Sequence, residues 1–248
     1  MKPSCYLRFF PILAALWTLS PTDARAENYL GIYLGASKAT QSDVRIIQPF
    51  LATDQTFYDV DWSTKSFEDP QYYGLRYTHY FDDMPYFGFM IDYTHDKIYG
   101  KLSNVVGVNG TNLGQPVNGF APLRNTFDNL SMSHGLNTVT VGPVARCFLW
   151  GDDPYTSIVQ PYIGIGVGAA IPHVEVQFVG QPIDESYRWG GIVVEGRAGV
   201  NVRVSEHCSI FAEVKVMCIP NLNVDITGGN LQTQARQCSF LFGPALTW

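Results

Sequence analysis

Charge is what this 248-residue chain has least of: only 15 % of its residues are Asp, Glu, Lys or Arg, and the net charge is −6. So weak and acidic a balance argues against a nucleic-acid partner. Long apolar runs are missing as well. Beyond the N-terminal segment none approaches the roughly 18 residues that a transmembrane helix needs, so any membrane role falls to strands. Cysteine is sparse, at five residues, and no spacing resembles a zinc site. Aromatic side chains (14 %) and glycine (23 residues) are plentiful instead.

The first 26 residues read as a secretory signal peptide. Lys2 and Arg8 flank a short apolar run over residues 9–19, and Ala24-Arg25-Ala26 supplies small residues at the cleavage positions. Cys5 precedes the apolar run, so it is not a lipoprotein cysteine and leaves with the signal. Residues 27–248 form one domain.

The rest of the chain answers to its last stretch, residues 235–248. Phe240, Phe242, Leu246 and Trp248 share one face at period two, while Ser239, Gly243, Ala245 and Thr247 share the other. One side suits hydrocarbon and the other a small polar interior. The same two-faced pattern recurs over residues 29–36, 72–81, 86–95, 134–148, 162–174, 192–203 and 209–216. In 162–174 the inward face is rich in glycine, which leaves room for bulky neighbours. In 134–148 the faces disagree, because Val139 and Val141 fall opposite Leu136 and Val144. Long polar segments follow the first, third, fifth and seventh strands, and short turns follow the others. Together these features predict an all-β fold, an eight-stranded antiparallel transmembrane β-barrel of the Gram-negative outer membrane with four long extracellular loops. Such a barrel is just wide enough for side chains to fill, so conduction is not expected.

The inward faces carry Arg76, Asp92, Glu195, Arg197, Glu213 and Lys215. Hairpin counting sets Arg76 beside Asp92 and Arg197 within reach of Glu213 and Lys215, the paired network that a polar interior requires. A register pairing residue 208 with 248 also pairs Cys218 with Cys238, which makes a disulfide across the final hairpin plausible in an oxidising compartment. Cys147 and Cys208 have no argued partner.

The histidines are more informative. His95 ends one strand, His134 begins the next, and His173 ends the one after, with Glu175 two residues on. All converge on the loop-bearing rim, where three imidazoles and a carboxylate could hold a divalent metal or act as acid and base. His95, His173 and Glu175 nevertheless fall on the lipid-facing parity of their strands. A lumenal site needs a bulge, for which Pro172 is a candidate, whereas an outward rim site faces the sugar head groups of outer-leaflet lipid. His79 and His207 lie toward the other end.

Residues 67–76 (FEDPQYYGLR), 87–97 (FGFMIDYTHDK), 135–137 (GLN), 161–176 (PYIGIGVGAAIPHVEV) and 209–215 (SIFAEVK) resemble the outer-membrane lipid A oxidase family. That resemblance implies a barrel that uses dioxygen as co-substrate to convert the proximal glucosamine of lipid A, in lipopolysaccharide, to 2-aminogluconate. It points to His95, His173, Glu175 and Asp92 as catalytic candidates. A divalent metal is expected on some of His95, His134, His173 and Glu175. Arg76, Lys97 and Thr94 are expected to bind substrate, with Lys97 or Arg76 on phosphate. The rival expectation is a non-enzymatic barrel, an adhesin or envelope protein that binds through its loops.

Overall fold

The computed structural model describes residues 27–248, apart from residues 152 and 155. The expected signal peptide, Cys5 included, lies outside the described residues. Sixteen strands are formed among them: β1 (Glu27–Ala39), β2 (Ser42–Gln48), β3 (Thr53–Val60), β4 (Trp62–Ser63), β5 (Tyr73–Tyr80), β6 (Phe87–His95), β7 (Ile98–Gly100), β8 (Val105–Asn112), β9 (Gln115–Pro122), β10 (Phe127–Met132), β11 (Leu136–Arg146), β12 (Val159–Phe178), β13 (Asp184–Tyr187), β14 (Gly191–Ser205), β15 (Cys208–Ile226) and β16 (Gly229–Thr247).

Eight of these close into a ring. Each pairs antiparallel with the next in the order β1, β5, β6, β11, β12, β14, β15, β16, and β16 returns to β1 through pairs from Tyr29 with Thr247 to Ala39 with Gln237. Closure leaves no unpaired edge in the ring, which a lipid environment requires. Ile91, Val141, Ile165, Phe240 and Phe242 stand exposed on the outside, where hydrocarbon rather than water would cover them. The disagreement within residues 134–148 is real: Val139 and Val141 face out, while Leu136 and Val144 are buried inside.

The lumen is filled in layers. Tyr29, Tyr33, Tyr80, Tyr162 and Phe211 pack together in one hydrophobic cluster, and a second, larger cluster contains Val44, Ile46, Phe57, Phe127, Leu136 and Leu231. The charged side chains form a third group inside the ring. The glycine-rich face of β12 makes room as expected: a Cβ on Gly166 would come within 2.9 Å of Glu195 Oε1, and one on Gly164 within 3.3 Å of the Arg197 side chain.

The polar segments are strands rather than the loose loops expected of them. The first contains β2 to β4, the second β7 to β10 and the third β13. The fourth loop is largely absent, because β15 and β16 continue as one hairpin that turns at residues 227–228, with Gly228 at φ +79°. Their apolar residues alternate over stretches too short to read by period: Val44 and Ile46, Phe57, and Val106 and Val108 all belong to the larger cluster. The upper part of β16 exchanges β1 for β2, pairing Thr233 with Val44 and Asn230 with Ile47. The barrel wall thereby continues above the lipid zone as β16, β2, β3, β8 and β9.

The final hairpin also overturns the predicted disulfide. Cys208 lies opposite Leu246, not residue 248, so Cys218 faces Arg236 and Cys238 faces Val216. The two-residue turn and a bulge between Ile219 and Leu222 set this register. All four cysteines among the described residues are free thiols.

Candidate functional site

Two clusters of ionisable side chains were anticipated, and they differ sharply. The first lies inside the ring. Arg76 and Asp92 are direct cross-strand partners, and Arg76 Nε donates to Asp92 Oδ1 at 3.0 Å. The remaining guanidinium nitrogens donate to Glu213 at 2.8 Å and to the Tyr162 hydroxyl at 3.3 Å. Lys215 Nζ donates to Asp92 Oδ2 at 3.0 Å and to Thr94 Oγ1 at 2.5 Å, while Arg197 pairs with Glu195 and lies 3.5 Å from Asp92. Arg197 therefore stands beside Lys215 in register but takes Glu195 rather than Glu213 as its counter-ion.

This placement corrects three expectations. Arg76, Asp92 and Thr94 are 4 %, 1 % and 3 % exposed, and their polar atoms are committed to one another or to lumenal neighbours. A charge buried in low dielectric is tolerable only with such partners. The group braces the barrel and offers no free donor to a substrate at the rim.

The second cluster is at the rim. Beyond Pro172, β12 leaves the barrel pairing: Glu175 lies opposite Ser131 of β10 on one side and Glu185 of β13 on the other, and His173 lies opposite Tyr187. No bulge at Pro172 turns these side chains inward. They keep the outward parity, but β10 and β13 extend the sheet on either side of them. His134, in the turn between β10 and β11, meets them there.

Ligand atoms of His134, His173 and Glu175 lie within 4.8 Å of one another. Glu175 Oε1 accepts from Ser133 Oγ at 2.5 Å and lies 2.6 Å from His134 Nδ1 and 3.2 Å from His173 Nδ1, while Ser131 Oγ donates to Oε2 at 3.3 Å. Burial by itself would favour the neutral carboxyl. The hydrogen bonds from Ser133, His134 and His173 outweigh it and bring Glu175 down to about 2. The His134 side chain is 61 % exposed and that of Glu175 only 7 %, so the cluster opens to one side.

His95 and Lys97 do not join it. His95 Nδ1 is 2.9 Å from Asn137 Oδ1, and its ring stacks on Tyr73 with centroids 4.8 Å apart. Lys97 is buried, with its ammonium donating to the Glu68 carbonyl at 2.7 Å; burial lowers its pKa, only partly offset by the Glu68 carboxylate. Neither is poised for phosphate. Ser131 and Ser133 were missed by sequence reasoning, although a Ser-x-Ser-His run ahead of a rim histidine was the available sign. Asn137 was also missed as the anchor of His95.

A closed antiparallel ring with an aliphatic and aromatic exterior and a charged, filled interior defines the class: this is an integral β-barrel of the Gram-negative outer membrane. No family model and none of the curated proteins matches the chain. Solved structures similar to it include the outer membrane protein OprG from Pseudomonas aeruginosa (12 % identity, covering 91 % of this chain and 99 % of that one, TM-score 0.47). Others are the outer membrane protease OmpT from Escherichia coli (8 %, 93 % and 99 %, TM-score 0.49) and Neisserial surface protein A (10 %, 89 % and 98 %, TM-score 0.40). Identities this low carry nothing about activity, and the fold rests on the strand pairing itself.

Proposed function

We propose that this barrel is an outer-leaflet enzyme that oxidises the proximal glucosamine of lipid A with dioxygen, at a divalent-metal centre held by His134, His173 and Glu175. The observation that carries the reading is the donor set: two imidazoles and one ionised carboxylate converging on the open side of the rim. Two histidines with one carboxylate are the facial set that suits non-haem divalent iron. Bound iron would supply the dioxygen chemistry. The chain's own residues hold that set in place. Ser133 and Ser131 fix the Glu175 carboxylate, and the Tyr187 ring packs edge-on against His173 with centroids 4.7 Å apart.

The reaction balances without another reductant. The C1 hemiacetal of glucosamine loses two electrons and two protons to dioxygen, giving hydrogen peroxide and a lactone. Hydrolysis of the lactone adds water and leaves 2-aminogluconate, one oxygen atom heavier than the starting sugar. The C1 hydroxyl must therefore be free of phosphate.

The test is mass spectrometry of lipid A from a Gram-negative host with an unphosphorylated C1, with and without the protein. The expected product is heavier by one oxygen, requires aeration and is lost in His173→Ala but kept in His207→Ala. Full activity after complete metal removal would discard the metal mechanism. Unchanged lipid A around a correctly inserted barrel would remove the oxidase and favour a binding protein, a reading that the ordered extracellular strands support.

A further inference from the structure

The outer face of the wall above the lipid zone presents a polar surface that neither the lumenal network nor the rim cluster uses. Along β16 the outward positions change from Phe242 and Phe240 to Arg236, Gln234 and Gln232 without a change of face. Whatever flanks the upper wall is thus the layer immediately above the hydrocarbon of the same leaflet.

In that layer one cross-strand row is polar through six strands. Asn223 faces Gln232, Gln232 faces Arg45, Arg45 faces Thr56, Thr56 faces Asn109, and Asn109 faces Asn118. Four of the six are amides, each carrying a paired donor and acceptor. Arg45 is fixed by a two-point contact with Asp54, at 2.8 and 2.7 Å. On the adjoining row Tyr58 faces Gly107 and Gly107 faces Phe120. A Cβ on Gly107 would sit 3.5 Å from the Tyr58 ring and 3.8 Å from that of Phe120, so glycine floors a slot between two aromatic rings. Tyr58 is 42 % and Phe120 84 % exposed.

We infer that this face is a carbohydrate-binding site for the oligosaccharide of neighbouring lipopolysaccharide. Aromatic rings receive the C–H faces of a pyranose, and planar amides pair with its hydroxyls in twos. Strands about 4.8 Å apart set neighbouring amides far enough apart to meet different hydroxyl groups along a sugar chain. A nucleic acid would want net positive charge here, which the face does not offer, since Asp54 neutralises Arg45. Its continuity with the lipid-facing side selects a sugar chain anchored in the same leaflet. The inference stands apart from the rim chemistry.

The experiment uses the full barrel in nanodiscs of synthetic phospholipid, titrated by calorimetry with core oligosaccharide released from lipid A. The probe lacks the glucosamine that the rim cluster would oxidise. Binding is expected, weakened at least tenfold by Tyr58→Ala and by Gly107→Leu, which fills the slot, and unchanged by His173→Ala. Each variant is first shown to retain the heat-dependent gel shift of a closed barrel. No binding by the native barrel would overturn the inference, as would binding untouched by both slot variants. A sulfated glycosaminoglycan fragment binding as tightly as the core oligosaccharide would overturn the choice of ligand.

Discussion

The lumen and the rim both concentrate ionisable groups, yet only one is arranged for chemistry. In the lumen Asp92, Glu195 and Glu213 are each paired with an arginine or lysine, all three are buried, and the Tyr162 hydroxyl donates to Glu213. At the rim a single carboxylate gathers two imidazoles and two hydroxyls and leaves one imidazole in the open. Burial with charge pairing makes a strut, whereas partial exposure with an excess of ligands leaves room for a metal or substrate.

Breaking the strut should have the largest effect. Asp92→Ala leaves Arg76, Arg197 and Lys215 sharing too little negative charge in a closed lumen, and a loss of about 3–5 kcal/mol is expected, as for other buried pairs. Unfolding in detergent by urea, followed on gels, measures it; a loss below 1 kcal/mol would mean that water screens the lumen.

Glu175→Gln should do the reverse, leaving the barrel folded while lowering metal affinity and lipid A oxidation by at least the roughly 10–100-fold that loss of an outer-shell partner costs. Metal content by mass spectrometry, read beside the heat-dependent gel shift, separates the two effects. Equal metal content in the variant would count against the three-residue centre.

Two carboxylates at the rim, beyond the stretches paired within the barrel ring, sharpen the contrast through pH. Burial pushes Asp96 up to about 6 from its ordinary 3.8, against the opposing hydrogen bonds of Ser37 and the Lys97 amide. The folded form thus binds this proton more tightly than the unfolded one. Stability is fullest below the unfolded value and falls by up to about 3 kcal/mol as pH rises from roughly 4 to 6. Asp96→Asn should flatten that slope in urea titrations, and an unchanged slope would reject the assignment. Glu175, held down to about 2 from 4.5, runs the other way: its contribution is present above 4.5 and is lost as pH falls toward 2.

The smallest effect belongs to the thiols. Replacing Cys218 and Cys238 together by Ser should change stability by no more than about 0.5 kcal/mol. Reduction of the native protein should leave its gel mobility untouched; a shift on reduction would restore the bridge that the register disfavours.

Much of the architecture was legible because a barrel strand repeats every two residues and its two faces meet different solvents. Phe240 and Phe242 against Ser239 and Gly243 identify a lipid face and a lumenal one with no knowledge of neighbours. Arg76 beside Asp92 followed from counting across one short turn. The extracellular strands were harder to read, since Val44, Ile46, Phe57 and Val108 alternate over only a few residues each and declare their role only when they meet in one cluster.

The candidate site was half legible. His134, His173 and Glu175 could be placed at one level by strand ends, but His95 and Lys97 stood at that level too. Only the fold shows that Asn137 and Tyr73 occupy His95, that the Glu68 carbonyl occupies Lys97, and that Ser133 reaches Glu175.

By itself, the order of residues determined the strand pattern, the closed ring and the sign of each face, because local period and solvent preference act within a few residues. The tertiary structure decided the register of the last hairpin, the folding of the polar segments into a wall, and which rim side chains meet. Those outcomes depend on contacts between residues far apart in the chain, where one bulge or one competing hydrogen bond redirects every partner.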